Sequence, residues 1–454
     1  MKHALAALVA FLTVVAMTAC GGGGTVEDES MTRVEDDVRQ QLAGLANGGG
    51  DPTRALAGLA VAVLRGGETT FEATFGRARI DPSGEGDREL TPDSLMRIAS
   101  ISKTLSAIVV MQLVEEGALD LDRDVSEYLG WELRNPHYPD RAITLRHLLA
   151  HVSSIRDAGE SYIIRYPRAL REAFDPADPD FGERFQTAEE GRDRGPGVFF
   201  EYCNLNYGVV GTVLEKVTGQ RFDVLMEERF FAPLGLAGGF NVADFSEAEL
   251  QNLATLYRKR DREEVWHPEG EWVAQVDDVS AGIPTALPEG ADYVPGTNGA
   301  QFSPQGGARL SLEGLETLAV LFSGDGSVGE VRLLAPESMD ELRREVWRYD
   351  PELKNLEDYD GTLNAWATGP RIITGETAGD RLFVGDDRTW YGHFGEAYGL
   401  LAGVWADPAT GDALIFAITG TAFDPSADEG PTSTLTPIEA AVLEQLSKIL
   451  NSEF

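Results

Sequence analysis

The clearest hydrophobic pattern in the chain lies at residues 58–78, GLAVAVLRGGETTFEATFGRA, where two β-prone runs flank a pair of glycines. Gly66 and Gly67 form the kind of two-residue connection that joins antiparallel strands, so the segment predicts a β-hairpin. Two further apolar runs, residues 398–406 and 412–420, are joined by the turn-rich sequence DPATGD. They predict a second pair of strands near the end of the chain.

Helical patterns mark both ends of the chain. A helix is predicted over residues 31–46, and a run of three glycines ends it. A final helix is predicted over residues 437–450, opened by the sequence Thr-Pro-Ile-Glu at residues 436–439. There the threonine caps, the proline takes the first helical position and the glutamate reaches back to the cap.

The strongest helical pattern runs from Ser102 to Gly117, with apolar residues on most sides, and it predicts a buried helix. Shorter helical patterns follow at residues 141–151 and 205–218, between proline- and aspartate-rich connections. Residues 240–300 are acidic and irregular, and we expect loops there.

Strands at both ends of the chain, each next to a terminal helix, predict one sheet built from both ends. The predicted fold class is α/β in the α+β sense: an antiparallel sheet flanked by the terminal helices, with an inserted helical lobe. We expect this domain to span residues 31–454. Its sheet lobe is predicted at about residues 50–95 and 385–454, with the helical lobe and loops between them.

The first residues have the organisation of a secretory signal peptide. Lys2 precedes an apolar run over residues 4–16, and small residues lead to Cys20. The run falls short of the roughly 20 residues that a membrane-spanning helix needs. The sequence MTAC resembles the lipobox of bacterial lipoproteins, in which the cysteine carries the lipid. We therefore expect residues 1–19 to be removed, Cys20 to be a lipid anchor and residues 20–30 to be a flexible tether, with ordinary signal cleavage as the alternative.

The chain is strongly acidic, with 38 Lys and Arg against 75 Asp and Glu and a net charge of −37. Such a charge opposes electrostatic binding to nucleic-acid backbones, so we expect no nucleic-acid partner. A solvated acidic surface is favoured over an acidic binding site. The mutual repulsion of surface carboxylates would be screened in high salt.

Cysteine usage fits an exported protein without disulfides. The chain has two cysteines, Cys20 and Cys203, and a lipidated Cys20 leaves Cys203 without a partner. Stability must then come from the hydrophobic core. Gly21 after the lipidated cysteine favours the periplasmic face of the outer membrane, or the cell surface, over the inner membrane.

The sequence RIASISKTL, residues 97–105, places Ser100 and Lys103 three residues apart at the predicted start of a helix. Positions i and i+3 share a helix face, so we expect the hydroxyl and the amine within hydrogen-bond reach. A helix N-terminus disfavours a protonated lysine, and a neutral lysine can take the serine proton. Because a Ser-x-x-Lys motif also arises by chance, further residues must support it.

Two further pairs of residues supply that support. Tyr202 and Asn204 stand on the predicted loop before the 205–218 helix, where a phenol can relay a proton and an amide can bind a carbonyl. His393 and Gly395 stand immediately before the first late strand. There the histidine offers a group that titrates near neutral pH, and the glycine lets a ligand approach the backbone. Each pair is a weak signal on its own.

Together these segments resemble the serine hydrolases related to class C β-lactamases, D-alanyl-D-alanine carboxypeptidases and family VIII esterases. The likeness covers roughly residues 55–450. The segments that carry it are TPDSLMRIASISKTLSAIVVMQLVEEGALDLDRDVSEYL, ITLRHLLAHVSSIRD, YCNLNYGVVGTVLEKVTG and YGHFG. The last resembles the family's His-x-Gly variant of a Lys-Thr-Gly strand motif.

The resemblance implies an acyl-enzyme mechanism. It makes Ser100 the nucleophile, Lys103 its activator and Tyr202 the base or proton relay. The substrate would be a small-molecule ester, amide or peptide, and no metal or cofactor is expected.

The resemblance also implies a substrate-binding edge. It makes Asn204 the amide that holds the substrate and places His393 and Gly395 along a strand edge. The oxyanion hole would be formed by the backbone N–H groups of Ser100 and Glu396.

The chain departs from the family pattern at three residues, and the departure at Phe394 affects the predicted substrate. Ser154 replaces a glycine, Cys203 replaces a small residue, and Phe394 replaces a small or hydroxyl residue between His393 and Gly395. A phenyl ring cannot donate a hydrogen bond to a substrate carboxylate. Neutral esters or amides are therefore favoured over β-lactams and D-Ala-D-Ala peptides.

Several interpretations stay open at this point. Esterase-like activity is favoured, and the alternatives are a D-amino-acid peptidase or carboxypeptidase, a β-lactamase, or a non-catalytic binding lipoprotein that kept the fold. His147 and His151 have the spacing of a helical metal pair, but the sequence offers no third ligand and no glutamate of an H-E-x-x-H motif. We expect them to be core histidines and predict no metal site.

Overall fold

We describe the protein from a computed structural model. The residues described are 26–261, 263–357, 361–433 and 435–452. The predicted signal peptide and Cys20 lie outside them, as does most of the predicted tether. Among the described residues, we find no helix with both the length and the apolar character needed to cross a bilayer.

The described chain alternates short strands with helices, and a long helix stands at each end of the fold. The strands are β1 (Gly58–Arg65), β2 (Glu68–Arg79), β3 (Arg88–Glu89), β4 (Met96–Arg97), β5 (Leu256–Arg258), β6 (Val273–Val276), β7 (Arg309–Leu310), β8 (Ser327–Val328), β9 (Val331–Arg332), β10 (Glu345–Arg348), β11 (Ala365–Ala367), β12 (Arg371–Ile373), β13 (Trp390–Ala397), β14 (Leu400–Asp407), β15 (Asp412–Ile418) and β16 (Gly420–Thr421). The helices are α1 (Val26–Ala46), α2 (Ser102–Glu115), α3 (Val125–Leu129), α4 (Leu145–Leu149), α5 (Leu205–Thr218), α6 (Phe222–Met226), α7 (Ala232–Leu234), α8 (Glu247–Asn252), α9 (Leu312–Ser323), α10 (Pro336–Arg343) and α11 (Pro437–Leu450).

A nine-stranded antiparallel sheet forms the centre of the molecule, in the order β10-β11-β12-β13-β14-β15-β1-β2-β3. The two ends of the chain meet where β1 pairs with β15, with Leu59 opposite Ile418. This confirms the predicted antiparallel sheet built from both ends of the chain. It also confirms the hairpin of β1 and β2, which turns at Gly66 and Gly67.

Both faces of the sheet are buried, and β1 shows how the sequence achieves this. Leu59, Val61 and Val63 face the layer made by α1 and α11. The alternate residues Ala60 and Ala62 face the larger core that contains α2, α5 and α9. Because strand side chains alternate between faces, one apolar run supplies both layers.

The predicted helices are confirmed with changes at their ends. Helix α5 has the predicted bounds, and α1 begins five residues earlier than predicted. Helix α11 opens with the predicted capping box, in which the side chain of Glu439 accepts from the N–H of Thr436 at 2.8 Å. Helix α4 covers only Leu145–Leu149 of the predicted stretch.

The predicted boundary of the sheet lobe was wrong on its carboxyl-terminal side. Strands β10, β11 and β12 extend the sheet, so it takes in chain from Glu345 onward rather than from about residue 385. These strands have three or four residues each, too short for an alternating pattern to stand out in the sequence. The extension matters because β12 and β13 border the candidate site.

Candidate active site

Ser100 lies in a single 3-10 turn, Ala99–Ile101, that leads directly into α2. The turn places Ala99 at a φ of 44°, in the left-handed region that costs energy for a residue with a side chain. The turn is fixed from outside as well: a Cβ on Gly395 would lie 2.5 Å from the carbonyl oxygen of Ile98. Strand β13 therefore packs directly against the backbone that carries Ser100.

Lys103, one turn further on, is completely buried. Its Nζ lies 2.9 Å from each of three oxygens: Ser100 Oγ, Asn204 Oδ1 and the carbonyl oxygen of Gln305. The predicted contact between the serine and the lysine is thus present. Gln305 contributes only its backbone, and no residue-type signal in the sequence pointed to it.

The three oxygens determine where the lone pair of a neutral Lys103 must point. The amide oxygen of Asn204 and the carbonyl oxygen of Gln305 can only accept hydrogen bonds. A neutral amine donates its two hydrogens to these oxygens and directs its lone pair at the Ser100 hydroxyl. The geometry therefore orients Lys103 as a base toward Ser100 and toward neither of the other two oxygens.

Burial makes that neutral state accessible near physiological pH. Desolvation lowers the pKa of Lys103 to about 7, while the negative charge of Asp157 acts in the opposite direction. Near pH 7 a large share of the molecules then has a neutral amine next to Ser100.

Asp157 is a site residue that the sequence analysis missed. Its carboxylate accepts from Asn204 Nδ2 at 2.9 Å, from the N–H of Leu205 at 2.8 Å and from the thiol of Cys203 at 3.3 Å. The acceptors and donors form a chain from Ser100 through Lys103 and Asn204 to Asp157. The residue ends the quoted segment HVSSIRD, but only its position in space distinguishes it from other surface aspartates.

Tyr202 reaches the same centre through its ring. The ring centroid lies 4.8 Å from Lys103 Nζ, and the ring stacks on His151 at 4.3 Å. Trp366 closes the cluster, edge-on to His151 at 5.0 Å. The phenol is therefore held among buried rings, beside the amine it was predicted to serve.

His393 differs from the prediction in both place and chemistry. It lies inside β13, not before a strand, because the two glycines of WYGHFGEA hid the strand pattern. It is buried, and burial together with the charge of Lys103 lowers its pKa to about 3. The expectation of a group that titrates near neutral pH was wrong: His393 stays neutral.

Gly395 packs against the backbone of the turn that carries Ser100. Its missing side chain makes room for the carbonyl of Ile98, so the close approach is to the protein's own backbone. Strand β12 pairs with β13 only as far as Gly392, which leaves residues 393–397 without a described partner strand on that side. Glu396, the predicted oxyanion residue, lies on this stretch.

Two departures from the family pattern have visible consequences. Ser154 has a φ of 65°, a conformation that favours glycine, and its hydroxyl accepts from Asn135 Nδ2 at 3.1 Å. Phe394 borders the site, but its ring packs on Trp405, with 4.6 Å between ring centroids. The phenyl group is thus part of the layer under α1 and α11.

These residues surround one cavity of about 380 Å³. Its wall contains Ser100, Tyr202, Asn204, His393 and Glu396, so the structure brings the predicted site residues to one place. Their predicted roles are chemical and follow below as proposals.

The two histidines of the HLLAH segment have separate environments. His151 accepts a hydrogen bond from the N–H of Cys203 at 3.0 Å and stacks on Tyr202. Burial lowers the pKa of His147 to about 4. Within the described parts of the chain, no group of three or more potential metal-ligating side chains comes together.

Comparison with known proteins identifies relatives of this chain. The penicillin-binding protein 4 of Amycolatopsis lactamdurans is 30% identical over 155 residues, which is 32% of this chain and 36% of that protein. Esterase EstB of Burkholderia gladioli is 31% identical over 238 residues, which is 49% of this chain and 57% of that protein. The chain thus spans between a third and three fifths of these relatives.

A solved structure with the same fold is the D-amino acid amidase from Ochrobactrum anthropi SV3 in complex with D-phenylalanine. It matches with a TM-score of 0.61 and 20% identity over 92% of this chain and all of that one. The sequence profile of the β-lactamase family matches residues 34–435, which include every residue of the site described above. The chain therefore belongs to the β-lactamase family of serine hydrolases.

Proposed function

We propose that this protein is an exported serine hydrolase that works through an acyl-enzyme on Ser100 and prefers esters. The observation that carries the proposal is the environment of Lys103. A fully buried amine, 2.9 Å from the hydroxyl and with a pKa of about 7, is suited to activating a serine.

The first half-reaction forms the acyl-enzyme. Ser100 Oγ attacks the substrate carbonyl carbon while its proton passes to the lone pair of Lys103. The carbonyl oxygen gains the negative charge and is held by the N–H groups of Ser100 and Glu396. The tetrahedral intermediate then expels the alcohol, which takes a proton from Lys103 through Tyr202. The products are the free alcohol and an ester on Ser100.

The second half-reaction reverses these roles. Water loses a proton to the same base and attacks the acyl carbon, and Ser100 Oγ leaves with the proton returned by Lys103. The acid is released and the enzyme is restored. Asn204 keeps Lys103 in position in both half-reactions, because its Oδ1 is one of the two oxygens that fix the direction of the lysine lone pair.

Two observations favour esters. Phe394 offers no hydroxyl at the motif position and turns its ring toward Trp405. The similarity to an esterase also extends over more of the chain than the similarity to the penicillin-binding protein. Amide, D-amino-acid peptide and β-lactam hydrolysis are the alternative reactions for the same acyl-enzyme.

The proposal is tested with purified residues 21–454, by release of 4-nitrophenol from short-chain acyl esters and by hydrolysis of nitrocefin. Ester turnover that is lost in Ser100→Ala, with nitrocefin untouched, supports it. The matched control is Ser426→Ala, whose hydroxyl bonds only its neighbour Asp424 among the described contacts. A folded protein inert to esters, nitrocefin and D-amino-acid amides would instead support the non-catalytic alternative.

We further propose that Cys20 anchors the mature protein to a bacterial membrane, on the periplasmic face of the outer membrane or at the cell surface. The support is the signal-like segment and the MTAC sequence. Expression with a radiolabelled or alkyne-tagged fatty acid should label the wild type and not Cys20→Ala. Equal labelling of both proteins, or of neither, would count against the anchor.

A further inference from the structure

The active-site cavity has a charge opposite to that of the molecule around it. Three arginines line it, Arg97, Arg165 and Arg371, against one carboxylate, Glu396. The whole chain has a net charge of −37. A cationic cavity in an acidic protein concentrates the field of its arginines on whatever binds there.

Arg97 is the arginine closest along the chain to the reactive groups. It ends β4, three residues before Ser100, and its Nε donates to the carbonyl of Gly306 at 3.0 Å. The adjacent carbonyl, that of Gln305, accepts from Lys103 at 2.9 Å. The two adjacent carbonyl groups of Gln305 and Gly306 therefore bind Lys103 and Arg97, respectively.

No carboxylate forms a direct ion pair with Arg97 among the residues that the structure describes. Its guanidinium carbon lies 4.9 Å from the centroid of the Tyr398 ring, and its remaining N–H groups form no hydrogen bond or ion pair with the described residues. Asp277, whose negative charge acts on Arg97, is itself bound by Arg309 at 2.6 and 3.0 Å. Glu396 is exposed to solvent, and no ion pair joins it to Arg97 among the described residues.

The other two arginines of the cavity differ from Arg97. Arg371 donates to the carbonyl of Ser433 at 3.2 Å and lies 3.4 Å from the carboxylate of Asp380. Arg165 is exposed to solvent. Arg97 is half-buried and, unlike Arg371, has no carboxylate partner in a direct ion pair among the described residues.

Arg97 is nevertheless charged at neutral pH. Burial and the proximity of Arg309 lower its pKa to about 10, while the negative charge of Asp277 acts in the opposite direction. This pKa is still well above 7. Removing a cation from water costs free energy that an anion inside the cavity can offset.

Tyr398 keeps the guanidinium at the cavity wall. It occupies the β13–β14 turn with a φ of 57° and is 41% exposed. A bulky residue in this conformation is strained, and the contact between its ring and a cation helps to hold it there. The turn therefore presents Arg97 to the cavity with one face covered.

We infer that Arg97 binds a carboxylate of the substrate, so that the preferred ester carries an acid group on its acyl part or on its leaving group. This inference rests on the proposed function and names its substrate class. A guanidinium with free N–H groups matches the two oxygens of a carboxylate. The guanidinium of Arg97 can thus bind the substrate carboxylate in a site where Phe394, at the motif position, has no group that donates a hydrogen bond.

The test compares two matched substrate pairs. One pair is mono(4-nitrophenyl) adipate and 4-nitrophenyl hexanoate, in which the acid lies on the acyl chain. The other is 4-acetoxybenzoate and its methyl ester, read as loss of the acetyl group, in which the acid lies on the leaving group. We expect the wild type to have the higher kcat/KM for the anionic member of at least one pair.

In Arg97→Gln we expect that anionic preference to fall about tenfold, mainly through KM, and Arg97→Lys to restore part of it. The comparison variant is Arg165→Gln, which should change the preference much less, because Arg165 is exposed. An equal loss in Arg165→Gln, or no loss in Arg97→Gln, would overturn the assignment.

The wild type alone also decides the matter if a variant does not fold. Preference for the neutral member of both pairs, with normal labelling by a fluorophosphonate, would refute the carboxylate subsite and leave the proposed hydrolase intact. Failure to turn over any of the four esters or to be labelled would count against the hydrolase itself.

Discussion

Among the single residues of the site, Lys103 is the one whose environment matters most for the proposed chemistry. Its burial removes the stabilisation that water gives an ammonium group, and its three oxygen neighbours supply dipoles but no formal charge. Asp157 is the charge that offsets this loss, through the amide of Asn204. The balance of these two effects sets the pH at which the base becomes neutral.

Replacing Asp157 by asparagine tests that balance. Without the negative charge, the ammonium form of Lys103 is less stable, so the acid limb of the kcat/KM profile should move to lower pH. The plateau rate should fall severalfold, because Asn204 loses a charged acceptor. The measurement is a pH profile with a neutral 4-nitrophenyl ester.

Asp193→Asn is the matched control for that profile. Asp193 also fixes a loop, accepting from the N–H of Gly195 at 2.9 Å and pairing with Arg141, but it contributes nothing to the charge around Lys103. An unmoved acid limb in Asp157→Asn, or the same movement in Asp193→Asn, would contradict the proposed balance.

The sequence predicted the reactive pair at this scale but not its surroundings. The Ser-x-x-Lys spacing was enough to predict the contact between Ser100 and Lys103, because three residues near a helix start fix a geometry. Asp157 and the carbonyl of Gln305 come from loops, whose paths follow from long-range packing. For the same reason, the low pKa of His393 could not be predicted without knowing that β13 is buried.

At the scale of elements, the site is the contact between a turn and a strand. The 3-10 turn of Ser100 rests on β13 at Gly395. Strand β12 pairs with β13 only as far as Gly392, which leaves the next part of β13 open to the cavity. The positive φ of Ala99 shows that the turn is not a relaxed helix start. Strand β13 therefore has to hold the turn as well as line the cavity.

Gly395→Ala should disturb that contact. The added methyl group would lie 2.5 Å from the oxygen of Ile98 and 3.4 Å from Ile101, so the turn or the strand must move. We expect a loss of about tenfold or more in kcat/KM, because small displacements of a nucleophile are costly. The free energy of unfolding should fall by about 1–3 kcal/mol, as is usual for overpacking, and the melting temperature should fall with it.

Gly182→Ala is the control for this substitution, since a Cβ there meets nothing within 4 Å. It should leave both kcat/KM and the melting temperature near the wild-type values. Wild-type activity in Gly395→Ala would show that the packing of β13 on the turn does not position Ser100.

The molecule as a whole combines an apolar sheet core with an acidic exterior. The sequence predicted the sheet correctly where strands were long, as in β1, β2, β14 and β15. It missed β10, β11, β12 and β13, because short or glycine-containing strands carry little periodicity. The acidic exterior follows from composition alone, but the cationic cavity inside it does not.

Net charge should make the fold sensitive to salt. A charge of −37 destabilises the compact state by self-repulsion, and added salt screens it. The melting temperature should therefore rise by a few degrees between about 0.05 M and about 1 M NaCl. KCl should raise the melting temperature by the same amount. A melting temperature that stays constant or falls with added salt would show that repulsion between surface charges does not limit the stability of the fold.

The most direct test of the central claim is the rate at which a fluorophosphonate labels the protein between pH 5 and 9, with the modified residue identified by peptide mass spectrometry. We expect a single adduct on Ser100, a rate that rises with pH through about 7 as Lys103 loses its proton, and no labelling in Lys103→Ala. An adduct on another residue, or a rate on Ser100 that does not depend on Lys103, would contradict the central claim.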